Sequence, residues 1–239
     1  MNISHRTHSL LKLLSLGLAT FALLCLMVKA SMALTSANTV INNQATASYV
    51  DAASAARTVS SNTVKTTVQQ VGGLTLTSDQ NKPGSAAATI SFPHIVTNTG
   101  NGVDTFDLTA INLGSDDYDF TAIRILPDAD GNGVPDSAAV ISQSPALDAG
   151  EYYAFVVEVD VPATGVADTD AANISVTASS VFDAGQSVTN TDIVTVTDRA
   201  IVEVTKSLSA NSGLAGSGTY RVNLLYNNTS NKIATDVTI

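Results

Sequence analysis

Of 239 residues, 44% are hydrophobic and only 13% charged, with 21 acidic side chains against 11 basic, one Cys, three His and a formal net charge of −10. That balance excludes a nucleic-acid partner held by a basic surface, which needs Lys and Arg to displace phosphate counterions. The single Cys excludes a disulfide-stapled mini-domain and a Cys-based zinc site, and the apolar fraction argues against disorder.

Arg6 and Lys12 flank the start of an apolar run, Leu13 to Val28, followed by Lys29-Ala30-Ser31-Met32-Ala33. A basic start, a hydrophobic stretch and a small-x-small end predict a secretory signal peptide over residues 1–33, cleaved after Ala33. The 16-residue run is shorter than the roughly 20 residues that span a bilayer. Leu23 and Leu24 ahead of Cys25 are too bulky for a lipoprotein cleavage site. The mature chain then keeps 8 basic against 21 acidic residues, a net charge of −13, with one His and no thiol. A secreted or cell-surface protein is expected, touching the membrane only through its cleaved leader.

From residue 34 onward, period-2 alternation recurs, the mark of half-buried strands. Strands are predicted at Ala45–Val50, Asn62–Val68, Leu74–Thr77, Ala88–Phe92, Thr105–Leu108 and Ala122–Leu126, then at Asn173–Ala178, Ile193–Thr197 and Ile201–Thr205. The clearest run is Tyr153 to Val161, where Tyr153, Phe155, Val157, Val159 and Val161 share one face and Glu158 and Asp160 the other. Tyr220, Val222, Leu224 and Tyr226 repeat the pattern. Turn formers separate the strands at Lys82-Pro83-Gly84, Thr99–Gly102, Asp148–Gly150 and Asp183–Gly185. The fold class is all-β, built as antiparallel β-sandwiches.

The chain also matches itself. Thr46-Ala47-Ser48 recurs as Thr177-Ala178-Ser179, and Asn98-Thr99-Gly100-Asn101 as Asn228-Thr229-Ser230-Asn231, an offset of 130 in the second case. Repetition at domain length argues for similar sandwiches strung together. Residues 34–72 read as an N-terminal β-hairpin segment docked on a sandwich of residues 73–199, or else as the opening of the first unit itself. The first division is preferred, because Leu74 and Val202 begin equivalent strands after Gly72-Gly73 and Arg199-Ala200. Residues 200–239 read as the incomplete start of a second unit, so that the chain is expected to be truncated or part of a longer array.

Val204-Thr205-Lys206-Ser207, Tyr226 to Asn231 and Ala234 to Ile239 resemble the opening half of an immunoglobulin-like conserved repeat. That repeat belongs to a family of unknown molecular function found in bacterial surface and secreted proteins. Phe92 to Asn101 resembles a degenerate relative of it. The resemblance implies an exported scaffold associated with wall or envelope, and no activity.

One segment carries a chemical motif. Asp128, Asp130, Asn132 and Asp136 stand at positions 1, 3, 5 and 9 around Gly133 at position 6. A tight turn at that spacing gathers two carboxylates and an amide oxygen around a hard cation, with the Val134 carbonyl and Asp136 adding ligands. Calcium in a structural role is therefore expected. Position 12 is Ala139 and Pro135 removes a backbone N–H, so this is no paired helix-loop-helix site. The missing ligand is sought in Asp116, Asp117 or Asp119, or in water. Eight carboxylates lie between Asp104 and Asp136 with Arg124 as the sole counter-charge, a repulsion that a divalent ion would relieve.

No catalytic residue is assigned. His94 is the one general-base candidate of the mature chain, and no nucleophile-elbow sequence accompanies it. Glu151 and Glu158 form no evident glycosidase pair. Lys206 is a candidate for an intramolecular isopeptide bond, with a solvated Lys the simpler reading, and Asn173, Asn227 and Asn228 head sequons of low specificity. The expectation is a non-enzymatic surface or secreted spacer with a calcium-stiffened loop. The alternative is an adhesive or glycan-binding module, with Tyr118 and Phe120 as its aromatic pair; partners would be envelope components, glycans or other surface proteins.

Overall fold

The computed structural model describes residues 34–208, 221–230 and 232–238. The expected signal peptide at 1–33 lies outside the described residues, as do Tyr220, Asn231 and Ile239 of the repeat motifs. Fourteen strands are described and no helix, so none is long and apolar enough to cross a membrane.

Eight strands form the sandwich. One sheet takes the order β5-β7-β10-β9, from β5 (Leu74–Leu76), β7 (Thr89–Asn98), β9 (Ala122–Pro127) and β10 (Tyr152–Asp160). The other takes the order β6-β12-β11-β8, from β6 (Asn81–Gly84), β8 (Phe106–Asn112), β11 (Ala171–Ser180) and β12 (Ser187–Val196). All pairs are antiparallel except β6 with β12. The all-β sandwich read from the alternation is the fold.

Burial follows the two-residue period. Along β11 buried and half-buried residues alternate without a break, and along β7 nearly so. The inward set packs into one core, with Phe92, Val96, Phe106, Phe155, Val157, Ile174, Val176 and Val194 essentially inaccessible. Strand β10 departs from simple alternation, because Ala154 and Val156 on its outer face are also buried.

Lys82-Pro83-Gly84, expected as a turn, belongs to β6 and runs parallel to β12. Pro83 is tolerated because β6 is an edge strand and its missing N–H costs no ladder bond. A Cβ on Gly84 would lie 2.6 Å from Val194 Cγ1, so only glycine lets the two strands approach this closely.

Residues 36–70 form a separate ribbon. Strands β1 (Val40–Asn43) and β4 (Val64–Thr67) pair at its base, and β2 (Thr46–Val50) and β3 (Ala56–Ser60) at its tip. Every residue of these four strands is exposed. The ribbon meets the sandwich at its base: Asn101 accepts from Ala37 and Val71 and donates to Gln69, while Gln70 donates to Val103. At the tip, Asp51 accepts the Ala53 and Ala55 N–H groups and pairs with Arg57 at 2.9 Å.

A last hairpin joins β13 (Val202–Leu208) to β14 (Val222–Asn228). It too is exposed, with Val204, Val222 and Tyr226 at 50% accessibility or more.

Candidate functional site

The acidic loop leaves β9 directly. Pro127 ends the strand, the Asp128 N–H still bonds the Ala154 carbonyl of β10, and the chain then turns over the outer face of the sheet. That position explains the burial of Val156 and Leu126 on a face that would otherwise meet water. A Cβ on Gly133 would sit 3.2 Å from Pro93 of β7, and Gly131 and Gly133 take φ of +67° and +82°. Side chains other than Asn and Asp are strained there.

Asp128 organises the turn. It is 1% exposed, and its two carboxylate oxygens accept the Asn132 and Gly133 N–H groups, each at 3.0 Å. Asp130 accepts from the Asn132 N–H and from its side-chain amide. Asp136 reaches back across the loop to accept the Ala129 N–H at 2.6 Å. Ligand oxygens of Asp128, Asp130 and Asp136 consequently lie within 4.8 Å of one another. Three of the five expected ligands are thus brought together. Asn132 lies against them, though its amide oxygen accepts the Val134 N–H at 2.7 Å, and the Val134 side chain is exposed.

The donor set fits a hard cation. Each carboxylate has about four lone-pair positions, so one backbone N–H per oxygen leaves room for a metal. All-oxygen, acidic ligation is the chemistry calcium takes.

The acids proposed to complete the shell are elsewhere. Asp116 accepts the Asn173 N–H at 2.7 Å and Asp117 the Ala171 N–H at 2.9 Å, both capping the start of β11. They precede β9 while Asp128 follows it, so the length of that six-residue strand separates them, about 20 Å at 3.3 Å per residue. Asp119 falls on the same far side.

Tyr118 and Phe120 do not offer a binding surface. They are 9% and 4% exposed, meet edge to face at 5.6 Å and belong to the core. Burial, reinforced by Asp116 and Asp170, drives the Tyr118 phenol far above its ordinary range. The adjacent aspartates face outward and suggested exposure; the aromatic rings turn the other way.

His94 is a core residue. Its Nε2 lies 2.8 Å from Asp192 Oδ2 in the opposite sheet, its Nδ1 lies 3.3 Å from Asn190 Nδ2, and its ring stacks on Phe155. Asp192 also accepts the Gln80 N–H, and Asn190 donates to the Thr77 carbonyl. This fully buried polar bridge between the sheets escaped the sequence reading, because its members are 98 residues apart. Lys206 sits exposed on β13 opposite Leu224. Asn173 is engaged by Asp116, whereas Asn227 and Asn228 are exposed.

No protein-family model matches the chain, and no curated protein matches it in sequence. Among solved structures, a family 123 glycoside hydrolase from Clostridium perfringens is similar over 53% of this chain and 27% of its own, at 12% identity and a TM-score of 0.36. A chain of the chaperone–tip adhesin complex of CFA/I fimbriae is similar over 66% of this chain and 67% of its own, at 8% identity and 0.33. AggA, the major subunit of aggregative adherence fimbriae type I from Escherichia coli, covers 54% of this chain and 96% of its own, at 16% identity and 0.27. Likenesses this distant assign no function.

Proposed function

We propose that this chain is an exported, non-enzymatic structural module of a bacterial surface or secreted protein, an immunoglobulin-like spacer whose 128–136 loop is ordered by calcium. The observation that carries the calcium reading is the convergence of Asp128, Asp130 and Asp136 over the outer face of the β7–β10–β9 sheet. A neighbouring group feels those acids: burial raises the Tyr153 phenol, and Asp136 and Asp128 raise it further. A divalent ion would offset the repulsion, hold the loop down and keep Val156 and Leu126 covered. Export is supported by the leader pattern of residues 1–33 and by a mature chain without thiols. Partners of such a spacer are envelope components or other surface proteins.

Calorimetric titration and thermal melting in calcium and in chelator test this. Calcium at a hundredfold excess over its dissociation constant should raise the midpoint by roughly 5–10 °C, and chelation should open residues 128–136 to proteases. Asp128→Ala should abolish both effects. A midpoint and cleavage pattern indifferent to calcium would sink the assignment.

A further inference from the structure

Two asparagines of this chain precede glycine, in the pairs Asn101-Gly102 and Asn132-Gly133. An Asn–Gly pair is open to attack on itself, because no Cβ on the second residue shields its backbone nitrogen from the asparagine side-chain carbon. What then decides the reaction is how the amide is held. The fold treats the two pairs in opposite ways.

Asn101 is 5% exposed, at the joint between ribbon and sandwich. Its Oδ1 accepts the Val71 N–H at 2.7 Å and its Nδ2 donates to the Gln69 carbonyl at 3.0 Å. A Cβ on Gly102 would lie 2.8 Å from the Gln70 side chain, so the backbone beside the amide is hemmed in as well. Swinging the amide toward the Gly102 nitrogen breaks both bonds in a buried setting, where water does not replace them.

Asn132 is exposed, and its bonds draw it toward the reaction. Its Oδ1 accepts the Val134 N–H at 2.7 Å. The ring closed by that bond contains both the side-chain carbon Cγ and the Gly133 nitrogen, so the amide is already folded toward the atom that attacks it. The same N–H polarises the carbonyl and faces the oxyanion that forms on attack. The Gly133 N–H donates to Asp128 Oδ2 at 3.0 Å, which gives its departing proton an acceptor. Nδ2, the leaving nitrogen, donates to Asp130 Oδ2 at 2.8 Å. The space about Gly131, on the other flank, is open to water.

We infer that Asn132 is a self-modifying site, which deamidates in the folded chain while Asn101 is held back. The Gly133 nitrogen bonds to Cγ of Asn132 and passes its proton to Asp128. The Cγ–Nδ2 bond then breaks, Nδ2 takes up that proton, and ammonia leaves a five-membered succinimide. One water molecule adds to either ring carbonyl and opens the ring. Opening at Cγ leaves aspartate; opening at the main-chain carbon leaves isoaspartate, with the chain rerouted through the side chain. One water is gained for one ammonia lost, and nothing is oxidised or reduced.

Either product adds a carboxylate to a loop in which oxygens of Asp128, Asp130 and Asp136 already lie within 4.8 Å of one another. The bond from Nδ2 to Asp130 is lost, and like charges replace it. Isoaspartate also lengthens the main chain by one carbon and dissolves the turn that Asn132 closes on Val134. The loop thus passes from a less to a more acidic form by a reaction that rests on its own hydrogen bonds and needs no bound cation.

Peptide mapping by mass spectrometry of the folded protein, held at neutral pH in chelator, tests this. The peptide containing Asn132 should first appear lighter by one ammonia, then heavier than the starting peptide by one mass unit. Its rate should exceed that of the Asn101 peptide at least about tenfold, and in denaturant the two rates should converge. Asp128→Asn keeps an acceptor for the Gly133 N–H but cannot take its proton, and should slow the change at Asn132 by about tenfold or more. The Asn101 peptide of the same sample, still slow, shows that this variant keeps its fold. Equal rates at the two sites in the folded protein, reaction at Asn132 only after denaturation, or a folded Asp128→Asn chain that reacts as fast as wild type overturns the inference.

Discussion

The Asn98 corner of the sandwich and the Asn228 corner of the C-terminal hairpin have the same register and the same turn bonds, yet one is 1% exposed and the other lies open. Local sequence is sufficient to set a strand pair and its corner. Burial, and the energy that comes with it, requires an opposing sheet. The comparison therefore separates what a short segment specifies by itself from what the assembled domain adds.

The strongest way to break the parallel is at the buried His94, whose counterpart on the hairpin is Leu224. His94→Leu removes the imidazole and leaves the Asp192 carboxylate facing an apolar side chain, at an expected cost of about 3–5 kcal/mol in a denaturant titration. Adding Asp192→Val should recover part of that loss but not all, because the Gln80 N–H then loses its acceptor. Leu224→His on the exposed hairpin should change chain stability by less than about 0.5 kcal/mol.

Removing the corner amide gives a smaller contrast. Asn98→Ala deletes one accepted and two donated bonds in a buried setting, and should cost about 1–3 kcal/mol. Asn228→Ala, with water available to its partners, should cost under about 1 kcal/mol by the same measurement.

The smallest effect lies on the sandwich surface. Arg124 donates to both Asp160 oxygens at 2.7 and 2.8 Å, and these bonds, helped by Thr89, hold the Asp160 carboxyl below its usual range. A depressed carboxylate contributes stability above about pH 4 and loses it as pH falls through the folded-state value. Arg124→Met should therefore raise the acid-unfolding midpoint while changing neutral-pH stability by no more than about 1 kcal/mol. An acid limb unmoved by the substitution would show the pair to be energetically silent.

Much of this was legible from residue types. The alternation in Tyr153 to Val161 is β10, and the spacing from Asp128 to Asp136 marks a turn that does gather its carboxylates. Two strands of the ribbon, β1 and β3, were not read: β2 and β4 are just as exposed, but Val40 to Asn43 and Ala56 to Ser60 show no apolar–polar alternation to detect. β6 was hidden because Pro and Gly, which elsewhere break strands, here suit an edge that must come close to β12. The shell around the acidic loop was misassigned for a different reason: Asp116 and Asp117 are near in sequence but at the other end of β9, where backbone N–H groups of β11 take them. The His94–Asp192 bridge depends on two strands from opposite sheets and has no local signature at all.

The parallel pairing of β6 with β12 has a mechanical consequence. Chain enters the sandwich at Leu74, beside the end of β7, and leaves at Val196, beside its start. Tension applied through the two ends pulls β6 and β12 along their length in opposite directions, so the bonds from Asn81–Gly84 to Ile193–Val196 are loaded together instead of peeling one by one. A unit placed in a line under load would yield in shear, at the strand pair where Gly84 makes room for the Val194 side chain.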